Sequence, residues 1–366
     1  MNAFLELRIP APKNLILSII LFGVTGAPYG WAIGPESASS TPPVETWSNT
    51  PRPLPETDAE HVIVFALEGI ANGSIQDGTM PVLNRMSQEG AVTWSATSIS
   101  PALTVPSMAS LITGLPVEKH RITQEWEIYD FSRAFLRAPT IFDYMDLAAG
   151  RDTAIFWMDE RFYQLARPEI YIDAQMCGQS KPNCQPETMV EYLHDYLRKV
   201  TSERGHGFRL FTVPHLLLVH FPTAARAGLK NGWNSQAYQQ AGETVDTAIG
   251  RIISLYQEFG ALTTTMVMVT GLNSGSHVST EGPGSTTGAY DNSLIVPFIA
   301  WGANIKSGHH IKGPVSILDT SATVLHALGL ETHTEWDSHA ITEIFQKKPA
   351  RRTTDNESDI QKAAIR

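Results

Sequence analysis

The sequence predicts a three-layer α/β/α fold around a mostly parallel central sheet. Two observations carry that expectation. Short continuous apolar runs rich in Val, Ile, Leu and Phe recur along the chain, as expected of strands buried on both faces, and segments with apolar residues at helical spacing stand between them. Strands alternating with helices put helices on both faces of one sheet, and in such sheets sites form at the carboxyl ends of the strands.

The elements follow in order. Residues 61–67 (HVIVFAL) read as the first buried strand, and 79–89 as a helix with Met80, Leu83 and Met86 at helical spacing and Gly90 ending it. A second helix begins at Thr104: Pro106 suits an opening turn, Met108, Leu111 and Ile112 give an apolar face, and Gly114 stops it. A helix at 139–149, a strand at 153–157, a helix at 186–204 and a strand at 215–221 come next. The long helix at 236–259 carries a core stripe of Val245, Ile249, Ile252, Ile253 and Tyr256. Strands at 265–270 and 294–301 and a helix at 320–328 complete a domain expected over 61–345.

The ends read differently. Arg8 and Lys13 precede an apolar run from Leu15 to Val24 and small residues ending at Ala32, the pattern of a signal peptide over 1–32. A membrane anchor is the rival reading, although Pro28 and several glycines interrupt the apolar stretch. Residues 33–60, rich in Ser, Thr and Pro, read as a flexible linker, and the charged stretch 346–366 as a disordered tail. Export to the periplasm or the exterior is therefore expected, with membrane contact only through an uncleaved N-terminal segment. In that oxidising setting the two cysteines, Cys177 and Cys184, are expected to close a small disulfide loop; the other reading is a pair of unpaired loop thiols. They are too few for a cysteine zinc site. With 42% hydrophobic and 17% charged residues the composition is that of a soluble globular chain, and a net charge of −10 argues against nonspecific nucleic-acid binding.

The chemistry centres on 100–122. A hydroxyl at a helix N-terminus lies beside unpaired N–H groups and the positive end of the dipole, where a phosphate or sulfate ester is favoured. On the residues alone, a plain N-cap is the competing role for Thr104. Pro101, Thr104, Pro106, the run 109–114 (ASLITG) and His120 resemble the nucleophile segment of the alkaline phosphatase superfamily, in particular its type I phosphodiesterase/nucleotide pyrophosphatase branch. Met80-Pro81-Val82-Leu83 and Gly288-Ala289-Tyr290-Asp291-Asn292 extend the resemblance, which covers roughly 61–330. It implies an alkaline-phosphatase-like fold, Thr104 in the nucleophile position, and two metal ions, zinc or manganese, held by Asp and His.

Position by position, most of that implied ligand set is replaced. Glu68 stands where the family has Asp after the first strand, the Asp-x-x-Gly-His frame falls on Ala225 to Leu229, an Asp-His pair falls on Leu272 and Asn273, and a last His falls on Gly288. Of six ligand positions only Glu68 remains acidic, and one carboxylate does not grip a divalent cation in water. His277, Asp291 and the pair His309-His310 read as ordinary loop polar residues, and neither a G-x-S-x-G elbow nor a dinucleotide-type glycine pattern is present. The expectation is a protein that keeps the fold and the Thr104 helix without metal cofactors, and that binds or scaffolds, with a protein or a small anionic ligand as its partner. The alternative is an active metal-dependent phosphodiesterase/nucleotide pyrophosphatase or related phosphate or sulfate ester hydrolase using Thr104 as nucleophile, in which Glu68, Thr104 and noncanonical ligands make one metal site and Lys230 or Arg226 substitutes for a metal's charge. The space beside Thr104 is either open and polar or filled by Leu229 and Leu272, and a filled space would disfavour even small anions.

Overall fold

The strand His61–Glu68 (β1), buried from Val62 to its end, is the axis of the domain. In the computed structural model, residues 59–125, 136, 138–148, 150–166, 172–178, 184–202, 213–275, 294–332 and 335–346 are described. The signal peptide, most of the linker, the tail beyond Gln346, and His277, Gly288 and Asp291 lie outside the described residues.

Seven more strands join β1: Ala91–Thr97 (β2), Thr153–Trp157 (β3), Ile172–Met176 (β4), Leu216–Phe221 (β5), Thr265–Asn273 (β6), Ile295–Gly302 (β7) and His309–His310 (β8). They form one sheet in the order β4-β3-β5-β1-β6-β7-β2-β8. Only β7 runs against its neighbours β6 and β2; the pairings among β4, β3, β5, β1 and β6, and between β2 and β8, are parallel. Strands at the centre, such as LLLVHF in β5, are apolar on both faces because helices cover both sides.

The helices are Asn72–Gln76 (α1), Pro81–Glu89 (α2), Thr104–Thr113 (α3), Val117–His120 (α4), Pro186–Thr201 (α5), Thr223–Asn231 (α6), Gln236–Glu258 (α7) and Asp319–Ala327 (α8). One face of the sheet, through Val62, Val64, Leu216, Leu218, Met266 and Met268, packs with α3 and α8 in a continuous apolar cluster. On the other layer α7 packs against α2, α5 and α6. Gly114 ends α3 in the left-handed region at φ 63°, a conformation glycine adopts without steric cost. Cys177 and Cys184 are joined in a disulfide with Cα atoms 5.5 Å apart.

Several expectations need correction. The predicted helix over 139–149 is a wider π-type coil over Asp143–Ala148, introduced by Thr140, whose N–H and hydroxyl both donate to Asp143. The 225–231 stretch, read as a ligand-bearing frame, belongs to α6, which Gly232 follows as C-cap; its sequence TAARAGLKN is rich in alanine, the strongest helix former. His309-His310, read as loop polar residues, form a short edge strand, and His309 Nε2 lies 3.0 Å from Glu343 Oε2.

Asp246 of α7 ties the two outer helices together, accepting hydrogen bonds from the N–H groups of Val82 (2.9 Å) and Leu83 (2.8 Å) in the first turn of α2. Burial pushes its carboxyl from 3.8 up to about 6, against the opposing pull of those two N–H donors. A folded-state pKa above the unfolded one means that the folded protein binds the extra proton between the two values. The Asp246 contribution to stability should therefore be most favourable below about 4 and decline as pH rises to about 6. The difference in unfolding free energy between wild type and Asp246→Asn, measured in denaturant from pH 3.5 to 7, should change across that window; a difference constant with pH would refute it.

Candidate functional site

Thr104 lies in the first turn of α3, at the end of the sheet where β1 and β5 terminate. It is not an N-cap: Leu103 takes that position without a side-chain cap bond, and the Thr104 hydroxyl instead donates to Glu68 Oε2 at 2.8 Å. Glu68 closes β1. Its other oxygen, Oε1, is 2.6 Å from Nε2 of His220 on β5. Ala66 pairs beside His220, and Glu68 follows two residues on, so the alternation of the strands brings both side chains to the face that α3 covers.

The pair is buried, with side-chain exposures of 0% for His220 and 7% for Glu68. His220 Nδ1 has no hydrogen-bond partner among the described residues. A carboxylate only accepts, so Nε2 is the donating nitrogen in this contact. The Phe162 and His220 rings meet edge to face, with centroids 4.8 Å apart. A hydroxyl, a carboxylate and an imidazole thus form one hydrogen-bonded chain, Thr104 to Glu68 to His220.

A second group of charges adjoins it. Arg161, in the turn after β3, makes two bonds from Nε to Asp159 at 3.0 Å and one from Nη2 at 2.6 Å, while its Nη1 lies 2.6 Å from Glu125 Oε2. The other Glu125 oxygen accepts from the Val105 N–H of α3 at 3.2 Å. Burial pulls the Arg161 pKa down, but Asp159, Glu125 and Glu68 more than offset it and hold the guanidinium above its ordinary range. Burial pushes the Glu125 carboxyl up, opposed by Arg161 and the Val105 N–H. Asp159 is held low because Arg161 outweighs its desolvation.

His120 positions α3 from behind. Ser110 Oγ is 2.8 Å from His120 Nε2, and Ile122 N–H donates to Nδ1 at 3.0 Å, so the ring is a neutral bridge whose burial lowers its pKa to about 4. Trp233 fills the space beyond α6, with its ring face against Gly228 and Gly275, where an added Cβ would come within 2.3 and 2.2 Å of it.

The positions assigned to metal ligands are distributed differently. Ala225 is buried, with its backbone against Gly69, whereas Leu229 is 42% exposed and fills nothing beside Thr104. Leu272 is fully buried in the apolar cluster that holds Val105 and Met108. It is the extra residue of a bulge, since Leu67 pairs with Gly271 but Glu68 with Asn273. Asn273 then receives the Gly69 N–H on both its main-chain and side-chain oxygens at 3.1 Å, and its buried Nδ2 has no partner among the described residues. Arg226 reaches the Met158 carbonyl at 2.7 Å and Lys230 is exposed, so among the described residues the cation facing the site is Arg161.

This donor set does not fit a two-metal centre. Both Glu68 oxygens are engaged by protein donors, Ala225 and Leu272 offer hydrocarbon, and among the described residues no group of three or more His, Cys, Asp or Glu side chains is placed to hold a metal ion.

Residues 62–283, more than half of the chain, match the family model described as Type I phosphodiesterase / nucleotide pyrophosphatase. The chain belongs to this family. Within the alkaline phosphatase superfamily its fold matches those of several solved phosphodiesterases, sulfatases and related hydrolases. Murine ectonucleotide pyrophosphatase/phosphodiesterase 5, in an inactive threonine-to-alanine form with AMP, superposes with a TM-score of 0.60 at 13% identity, over 78% of this chain and 100% of that one. The phosphonate monoester hydrolase from Silicibacter pomeroyi gives 0.56 at 16% identity, over 80% and 78%. Steryl-sulfatase from Rattus norvegicus is 29% identical over 157 residues, which are 38% of this phosphodiesterase-family chain and about a quarter of the relative's length. Among the described residues no helix is long and apolar enough to cross a membrane.

The sequence pointed to Thr104 and Glu68, and the structure brings them together. It did not point to His220, Arg161, Asp159 or Glu125. Two signals were available: a histidine inside the otherwise apolar LLLVHF, and the Asp159-Glu160-Arg161 run just past the carboxyl end of a predicted strand, where such folds place their sites.

Proposed function

We propose that this phosphodiesterase-family chain is an exported binding protein that has replaced the bimetallic centre with the Thr104–Glu68–His220 chain, and that recognises a tetrahedral oxyanion, a phosphate or sulfate group, beside Thr104. The observation that carries this reading is the engagement of both Glu68 oxygens by a hydroxyl and an imidazole. Cleavage of such esters depends chiefly on positive charge placed on the developing oxyanion and leaving group. The charge present is Arg161, which is itself paired with Asp159 and Glu125. With three carboxylates, Glu68, Glu125 and Asp159, around that one guanidinium, the pull on an anion comes from the α3 N-terminus, and nothing in the described site bridges nucleophile and leaving group.

One observation favours a second reading, slow metal-independent ester hydrolysis: Glu68 accepts a hydrogen bond from the Thr104 hydroxyl and is placed to take its proton. The two readings separate in one experiment. Protein purified from zinc- and manganese-supplemented medium is assayed for bound metal and for cleavage of aryl phosphodiesters, monoesters and sulfates. The expected result is no stoichiometric metal and no turnover that Thr104→Ala removes. Two metals per chain with Thr104-dependent turnover would overturn the proposal, and metal-free turnover lost in both Thr104→Ala and Glu68→Gln would establish the second reading.

A further inference from the structure

The surroundings of His220 remain polar on the side away from Glu68. Nε2 donates to Glu68, so in the neutral ring Nδ1 is an acceptor, and it is buried with no partner among the described residues. On β3, Trp157 stands directly across the ladder from His220, and paired residues of parallel strands project to one face, here the face that α3 covers. The Trp157 Nε1–H, a donor, is likewise buried without a partner among the described residues. The Phe162 ring meets both rings, with centroids 5.4 Å from Trp157 and 4.8 Å from His220, so the segment after β3 covers the pair. Two residues further along that segment, Gln164 has its amide oxygen and its amide nitrogen both buried and unpartnered. None of the three side chains is more than 2% exposed. Neighbouring buried groups that offer a donor, an acceptor and an amide, none of them satisfied by protein, are the setting in which an internal water makes about three hydrogen bonds.

We propose that the space behind the Thr104–Glu68–His220 chain is a binding site for a sealed water molecule, which accepts from the Trp157 Nε1–H, donates to His220 Nδ1 and completes its bonds on the Gln164 amide. Water suits the place because it is donor and acceptor at once, as an indole N–H facing a ring lone pair requires. It holds the imidazole at its second nitrogen. The ring is then fixed at both ends, which keeps Nε2 on Glu68 and Glu68 on the Thr104 hydroxyl. Trp157 and Gln164 become positioning residues for a hydroxyl that neither touches. The inference goes beyond the reading above and stands whether the chain binds esters or cleaves them.

High-resolution diffraction and solution NMR on the purified protein test it. Wild type should show a density peak within hydrogen-bond reach of both Trp157 Nε1 and His220 Nδ1, and a cross-peak between the Trp157 indole N–H and water. Trp157→Phe keeps an aromatic ring and removes the donor. It should lose the peak, lower the number of long-lived waters read by magnetic relaxation dispersion by one, and shift the His220 Nδ1 resonance toward that of a free lone pair. Thr270 provides the comparison: it lies in the same row of the sheet as His220, on the far side of Ala66, and its buried hydroxyl also has no partner among the described residues. Thr270→Val should leave the water and the His220 resonance unchanged. If Trp157→Phe does not fold, the wild-type density and cross-peak decide alone. Wild type without that density or cross-peak, a folded Trp157→Phe that keeps the water, or a water lost in Thr270→Val instead, would overturn the proposal.

Discussion

His220→Leu should lower the unfolding free energy by roughly 3–5 kcal/mol, the cost of removing one member of a buried ionisable pair and leaving the other uncompensated. Glu68 has little solvent to turn to, since its side chain is 7% exposed, and after the substitution the Thr104 hydroxyl is its remaining donor among the described residues. Glu68→Leu with His220→Leu should recover part of the loss, because two apolar groups leave no charge stranded. Denaturant unfolding of the two single variants and the double variant reads the coupling. If the double variant is as damaged as the sum of the singles, the pair is not the unit described here.

Gly69→Ala is expected to be similarly severe for a different reason. Gly69 follows Glu68 at φ 71°, and a Cβ there would lie 2.6 Å from the Cα of Ala225 and 2.8 Å from its main-chain nitrogen. Both are backbone atoms of α6, so relief requires moving the helix rather than turning a side chain. Gly260 supplies the control, with φ 76° and nothing within 4 Å of the added Cβ. Its substitution should cost only the left-handed backbone penalty, about 1–2 kcal/mol. Thermal unfolding should show Gly69→Ala losing clearly more than Gly260→Ala; equal losses would mean that α6 does not pack on β1 as closely as described.

The fold was legible where one physical signal dominated. β1, β5, β6 and β7 are continuous apolar runs, and α3 and α7 carry helical stripes, so these needed no tertiary knowledge. β2 was not, because AVTWSAT interleaves polar residues at positions left half-buried or exposed, and β4, IDAQM, is an edge strand with little apolar content. α6 was not assigned as an element, because its stretch was read as a ligand-bearing frame. At the site, the hydroxyl and Glu68 were readable because each sits at the end of an element whose boundary is clear. Glu125 and Arg161 were not, since their roles depend on loops meeting from positions 36 residues apart. The bulge at Leu272 was equally hidden, for alternation along β6 gives no sign that one residue is extra.

The burial of Leu272 sets the terms on which a cation could be introduced at this end of the sheet. An aspartate there would set a carboxylate among Val105, Met108 and their apolar neighbours, where without a cation to neutralise it the penalty is several kcal/mol. An engineered metal site would therefore have to be built by concerted changes, with Ala225 and Leu272 altered together in the presence of the ion.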